Sequence, residues 1–264
     1  MAHASLMSYL NTRTDSHGVT TIELNRPETY NAMDRHFFDE LTTTINELKG
    51  NTRVLVLTGT GKHFCAGADI QWMKQSAELS DEENRADAMA LSNMLEALNT
   101  FTCPTIAKVH GAALGGGTGI VSCCDIVVAS EDARFAFSEV RLGIIPATIS
   151  PYAIAAIGAR AARRYFLTGE QFDAMEAYRL GLVHDVCSTG NLDHSVNFIL
   201  ESLFKGGPSA QYNAKQLIMD VAGQDVTDKL REELSTRLAR VRTSPEAQEG
   251  LGAFLNKRSA EWPA

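Results

Sequence analysis

The chain has 264 residues, 44% of them hydrophobic and 21% charged, with a formal net charge of −8. That length and balance fit a globular protein with a sizeable core. The acidic excess argues against nucleic acid, which needs clustered Lys and Arg, and no apolar run reaches the roughly 20 residues of a membrane span. The opening MAHASLMSYLNTRTDSHG lacks the basic start and long apolar stretch of a secretion signal. Cys65, Cys103, Cys123, Cys124 and Cys187 are odd in number and have no CxxC spacing, the pattern of reduced thiols in a cytoplasmic protein.

In chain order, GVTTIELN (18–25) is rich in β-formers and bounded by turn residues, which predicts a strand. Phe37, Phe38, Leu41, Ile45 and Leu48 recur at three- and four-residue steps, one face of a helix, and Gly50 follows. RVLVLTG (53–59) is a continuous apolar run typical of a buried strand. The loop GTGKHFCAG leads into a helix at ADIQWMKQSAEL, and a longer helix is expected over about 83–99. PTIAKVHG (104–111) is a second buried strand, DIVVAS and RFAF are short strands, and LVHDV (182–186) is another. From about 150 the pattern is otherwise helical. Strands alternating with helices define an α/β fold, with a core over 1–200 and a helical C-terminal region over 201–264.

GGGTGIVSCCD (115–125) carries three consecutive glycines, more than a turn needs, so something approaches the main chain closely. A phosphate loop fails on spacing: Gly111 and Gly116 are correctly separated, but Gly117 stands where GxxxxGK needs lysine. A dinucleotide fingerprint from Gly115 needs glycine where Ile120 stands. Neither GxSxG nor HExxH occurs, and His63 and His110 have no spaced partner, so both read as structural.

What survives is a repeated arrangement. VLVLTGTGKHFCAGADI and TIAKVHGAALGGGTGI each run from an apolar strand through a small-residue loop into a helix. Two such loops side by side could aim two N–H donors at one oxyanion; equally, the glycines could serve close helix–strand packing. Glu139, among apolar residues in FAFSEVRLGIIP, is a candidate proton-transfer carboxyl, or else a partner of Arg141.

LNRPETYNAM, KHFCAGADI, HGAALGGG, CCDIVVAS, SEVRLGIIP and LTGEQFDAMEAYRLGLV stand in this order. From about residue 18 to the C-terminus they resemble the crotonase, or enoyl-CoA hydratase/isomerase, superfamily. The resemblance implies a spiral of β-β-α repeats, a helical C-terminal trimerisation region, and a homotrimer or homohexamer. It implies binding of acyl-CoA thioesters, coenzyme A being part of the substrate, with no other cofactor and no metal. It places the oxyanion hole on Ala68 and Gly116, with Gly117 beside it. The adenine contacts fall on Ala66, Gly67, Ala68, Asp69 and Ile70, and the CoA phosphate contacts on Arg26. Phe254 and Lys257 are the residues reaching the CoA of a neighbouring subunit, and Ala147 to Tyr152 help line the acyl pocket.

The sequence departs from that pattern at Gly119, where two-glutamate hydratases carry a carboxylate. Glu139 alone remains, as in family members that shift a double bond. A finer resemblance, in GKHFCAGADIQWMKQSAEL, SEVRLGIIPATISPYAI and GARAARRYFLTGEQFD, is to bacterial methylglutaconyl-CoA hydratases of leucine breakdown and isohexenylglutaconyl-CoA hydratases of acyclic terpene breakdown. Both substrates carry a distal carboxylate, for which Arg141 is a candidate partner. The expectation is a hydratase of a branched, carboxylated enoyl-CoA. The rivals are a Δ3,Δ2-enoyl-CoA isomerase and a non-catalytic CoA-binding protein. Asp69 and Asp125 have sufficient reason as helix-capping and hydrogen-bonding acids.

Overall fold

The computed structural model describes residues 8–262, so the first seven residues of the opening segment lie outside the described ones. Its N-terminal hairpin pairs β1 (Leu10–Thr14) antiparallel to β2 (Val19–Leu24). The sequence reading had β2 but not β1: LNTRT is polar and all but Leu10 face solvent, so no apolar period marks it. α1 (Arg35–Glu47) starts at Asp34, whose carboxylate accepts the Phe37 N–H, and buries Phe37, Phe38, Leu41 and Ile45, the face the periodicity predicts. β3 (Val54–Gly59) is buried along nearly its whole length.

α2 (Ile70–Ser76) is shorter than the helical stretch in the sequence because Asp69 is its cap rather than a member. α3 (Asp81–Asn99) opens on a capping box in which the Ser80 and Glu83 side chains each bond the other's backbone N–H. Next come β4 (Thr105–Val109), β5 (Ala112–Leu114), α4 (Gly116–Cys123), β6 (Ile126–Ser130) and β7 (Arg134–Ala136). α5 (Ser150–Thr168) is broken at Gly158, where φ is 75°. After β8 (Phe172–Asp173) and α6 (Ala174–Leu180), the strand expected at 182–186 forms instead as β9 (Asp185–Cys187). The chain at His184 meets Val127 by two bonds, but the ladder with β6 begins only at Asp185.

The strands form two sheets. One has the order β1-β2-β3-β4-β6-β9, parallel except at β1; the other has the order β5-β7-β8. Each turn of chain leaves a strand in the large sheet, then one in the small sheet, then a helix: β4-β5-α4, then β6-β7 and, past the segment 137–149, α5. The β3 turn follows the same rule, since Cys65 makes a parallel bridge to Ala113 and extends the small sheet by one chain. This is the β-β-α spiral, and it brings the successive strand-to-helix loops to one side by side.

The chain divides into two units, 1–101 with 105–196, and 102–104 with 197–264. The second is helical: the end of α7 (Leu192–Phe204), α8 (Pro208–Val221), α9 (Asp228–Arg242) and α10 (Pro245–Leu255). Within it Glu246 accepts the N–H groups of Ser209 (3.0 Å) and Ala210 (2.7 Å) at the start of α8. Arg237 on α9 pairs with Asp220 on α8 at 2.8 Å. Among the described residues no helix is long and apolar enough to cross a membrane.

Candidate active site

The 60–69 loop is built on Asn31, which is buried and lies in the left-handed region at φ 58°. Its Nδ2 is 3.0, 2.9 and 3.1 Å from the carbonyls of Thr60, His63 and Phe64, and its Oδ1 accepts the Arg26 N–H. The Cys65 thiol donates to the Asn31 carbonyl at 3.1 Å, and burial pushes its pKa up to about 12, so it is an inert structural donor. His63 Nδ1 accepts the Ala112 N–H and His110 Nε2 meets Gly61 O, both at 3.0 Å; burial lowers the His63 pKa, in keeping with a neutral acceptor. The two histidines stitch the loops together.

On this frame the backbone lays the two small-residue loops together. Cys65 donates to Ala112 O and accepts from Leu114 N–H, both at 3.0 Å, laying 65–69 beside 112–116. On the other flank Met33 donates to Gly67 O (2.8 Å) and accepts from Asp69 N–H (2.7 Å). In a parallel bridge of this kind the neighbouring residues make the bonds, so the Ala68 N–H points away from Met33; among the described residues it meets no main-chain acceptor. Gly116 is the first residue of α4, whose N–H has no partner within the helix. Ala68 and Gly116 line the same cavity of about 740 Å³.

The three glycines have three reasons. Gly115 has φ 50°, which disfavours a side chain. A Cβ on Gly117 would stand 2.5 Å from the Cys65 carbonyl, so the packing between the loops requires glycine there. A Cβ on Gly116 would stand 2.3 Å from the Met33 methyl, at the cavity wall. Gly117 is thus set by close packing of the two loops, and Gly116 stands at the cavity wall.

Glu139 opens a short 3-10 turn (Glu139–Leu142) after β7, not a strand end, and borders the same cavity. Its Oε1 lies 3.2 Å from the position a Gly115 Cβ would take. Its Oε2 is buried with no hydrogen-bond partner among the described residues. Desolvation raises its pKa, opposed by a bond from its own amide. A buried carboxylate oxygen without a partner, on the wall of the cavity that Ala68 and Gly116 also line, adds little to stability.

The pairing of Glu139 with Arg141, the alternative reading, is not formed among the described residues. The Arg141 side chain turns the other way, its Cγ and Nε lying 3.0 and 3.2 Å from the position a Gly169 Cβ would take. At this point Leu142 lines the cavity and Arg141, the candidate partner of a distal carboxylate, does not. Arg26 has partners inside the protein: it donates to Ala32 O at 2.7 Å, pairs with Asp34 at 3.2 Å and with Asp69 at 3.5 Å, and lies over Tyr9. It thereby steadies the two acids that cap α1 and α2. Asp69 caps α2 by accepting from Gln71 and Trp72 N–H, and Asp125 accepts Thr105 N–H and Oγ1–H at 2.8 and 2.9 Å; both acids have structural work.

Of the expected adenine segment, Ala66 donates to Tyr30 O, Gly67 takes φ 95°, and Ile70 is exposed at the cavity edge. Phe254 and Lys257 lie in the helical C-terminal unit, Phe254 exposed at the end of α10 and Lys257 with φ 52°. Of the stretch 147–152, Ala147, Thr148 and Ile149 line the cavity, joined by Leu142, Ile144, Ile145 and Pro146, and Ser150, Pro151 and Tyr152 do not. Gly119 has no room for a carboxylate: a Cβ there would stand 2.3 Å from Ile149 Cγ2.

The sequence model of the enoyl-CoA hydratase/isomerase family matches residues 14–264. The chain belongs to this family. It superimposes on the crystal structure of an enoyl-CoA hydratase from Shewanella pealeana with a TM-score of 0.93 at 39% identity, covering 97% of this chain and 96% of that one. It is 32% identical over 247 residues to the short-chain-enoyl-CoA hydratase of Clostridium acetobutylicum, covering 92% of this chain and 93% of that one. It is 33% identical over 254 residues to the 2,3-dehydroadipyl-CoA hydratase of Escherichia coli, covering 92% and 94%.

As an enzyme of this family the chain also uses residues that sequence reasoning passed over. Met33 carries the bridge to Ala68 and the methyl against Gly116. Asp87 on α3 accepts from Arg35 at 3.0 Å and from Trp72 Nε1 at 3.2 Å, tying α1, α2 and α3 together at the cavity wall. The NAM of LNRPETYNAM was visible as part of the resemblance, but Asp87 carried no signal, being one acid on a charged helix. Among the described residues no cluster of three or more His, Cys, Asp or Glu side chains could hold a metal ion.

Proposed function

We propose that the protein is a hydratase adding water to a branched, carboxylated 2-enoyl-CoA such as 3-methylglutaconyl-CoA. One observation carries the reading: the N–H groups of Ala68 and Gly116 and the carboxyl of Glu139 border one cavity, and the carboxyl has an oxygen with no partner. The thioester oxygen accepts both N–H groups, which stabilise it most when charge builds there as an enolate. Glu139, as carboxylate, takes a proton from water while the water oxygen bonds to the β-carbon. The acid so formed gives its proton to the α-carbon, and the site returns to its starting state. Net, H and OH add across the double bond. The largely apolar wall suits a branched acyl group, and the relatives named as hydratases support hydration, one of them named for a dehydroadipyl substrate, which carries a distal carboxylate.

A second reading, double-bond isomerisation, is favoured by Ile149 occupying the space at Gly119, which leaves one carboxyl to shuttle one proton. Incubation with 3-methylglutaconyl-CoA in ¹⁸O-labelled water separates the two. Loss of the conjugated absorbance with label in the product is the expected result. A bond shift without label supports isomerisation, and binding with neither change supports a non-catalytic CoA-binding protein. We further propose a homotrimer or homohexamer in the cytoplasm, with Phe254 and Lys257 reaching a neighbour's CoA. The exposure of the adjacent apolar Phe254 and Leu255 supports this, and sedimentation analysis tests the assembly.

A further inference from the structure

We infer that Lys74 is the specificity-determining residue that receives the distal carboxylate of the acyl group. This rests on the acyl-CoA reading of the cavity and deepens it. The cavity runs from the two N–H groups between α2, α3 and the 142–149 segment. Among the described residues that line it, Lys74 is the single cation, and it makes no ion pair with any described residue.

Three other polar side chains on that wall are already engaged. Asp87 has both oxygens occupied, by Arg35 and by Trp72. Asn84 Nδ2 donates to Leu79 O at 3.1 Å, and Ser76 Oγ donates to Trp72 O at 2.9 Å. Arg35 pairs with Asp87 as well as with Asp39, so the wall acid besides Glu139 already has its cation inside the protein, whereas the wall cation Lys74 has no acid among the described residues. Lys74 stands five residues beyond the Asp69 cap, about 7.5 Å along α2 from the backbone that frames the oxyanion site. Lys74 is exposed at the edge of the cavity, and its flexible stem can place an ammonium with three donors at the acyl end, at a distance from the reacting carbons. The matching ligand is an anion remote from the thioester: the ω-carboxylate of a dicarboxylic acyl group. Arg141, turned toward Gly169, cannot share this task.

The test compares wild type, Lys74→Met and Lys74→Arg on two saturated thioesters of matched length, glutaryl-CoA and pentanoyl-CoA, by equilibrium binding. The same variants are then assayed for turnover of 3-methylglutaconyl-CoA and 3-methylcrotonyl-CoA. Wild type is expected to prefer the carboxylated member of each pair. Lys74→Met is expected to lose that preference by about 10- to 100-fold, the range of a charge-assisted hydrogen bond. Its handling of the uncharged member should stay within about threefold, and Lys74→Arg should keep most of the preference, by the same charge argument. A preference that survives Lys74→Met, or a parallel loss on both members, overturns the inference. If wild type binds neither thioester, the acyl-CoA reading itself falls; if it binds both without preference, only the role of Lys74 does.

Discussion

Glu139 is held where its charge is least comfortable, and that discomfort is measurable apart from catalysis. Desolvation raises its folded-state pKa above the unfolded value. Any stabilisation from its protonated form is therefore complete below the unfolded pKa of about 4.3 and is lost as pH rises through the folded value. Glu139→Gln, which cannot ionise, should thus raise Tm at pH 7 over wild type, with the gap closing near pH 4. The same variant should lose about 10²–10⁴-fold in kcat and lose the acid limb of the pH–rate profile. More than about a tenth of wild-type kcat in the folded variant would place proton transfer elsewhere. Gly116→Val pushes a side chain into the Met33 methyl and the cavity wall while the backbone donor stays. A fall in kcat/KM of about 10² or more with an unchanged melt is expected; full turnover would remove Gly116 from the oxyanion site. Gly119→Glu meets Ile149, so it should destabilise by about 1–3 kcal/mol in urea titrations. Adding Ile149→Ala should recover part of that loss; if it does not, Ile149 is not what closes the position.

Between elements, the decisive contacts belong to Arg26, the Asp34 and Asp69 caps, and Asp87. Arg26 bridges the caps of α1 and α2, and its guanidinium is only 13% exposed. Arg26→Met leaves two part-buried carboxylates without their cation and should cost about 1–3 kcal/mol of stability. A rise in KM should accompany it, because the cap of α2 frames Ala68. If Arg26 served CoA phosphates directly instead, KM would rise with the melt unchanged. The Asp87 contacts to Arg35 and Trp72 act likewise on the far wall, where α2 would otherwise be a seven-residue helix with no buried residue of its own.

Across the first unit, the large sheet is anchored at its centre. β2, β3 and β4 carry side chains buried along nearly every position, whereas β1 exposes all but Leu10. Amide exchange should therefore be slowest in β3 and β4 and fastest in β1, spanning the range from near-global opening to fraying. Equal protection of β1 and β3 would contradict the burial pattern. The spiral turns this rigidity to use: loops leaving adjacent strands of a well-buried sheet inherit its precision, which suits backbone donors that must sit a fixed distance apart.

Much of this was readable from the chain. Periodicity placed α1 with its buried face, and continuous apolar runs placed β3 and β4, because burial on both faces leaves a period-free signal. Small residues after those strands marked both loops, and the motif order marked the family, the oxyanion candidates Ala68 and Gly116, and Glu139. The strands β1, β5 and β8 escaped, being polar or only two to five residues long. What no local pattern could decide was pairing across long separations. Only the tertiary structure shows that Glu139 lacks a partner while Arg141 lies against Gly169, that Arg26 is spent on two helix caps, and that Ile149 fills the space at Gly119. Only it leaves Lys74 as the unpaired cation among the described lining residues. A side chain's charge is written in the sequence, but whether that charge is satisfied or available depends on which distant groups the fold brings within about 3 Å of it.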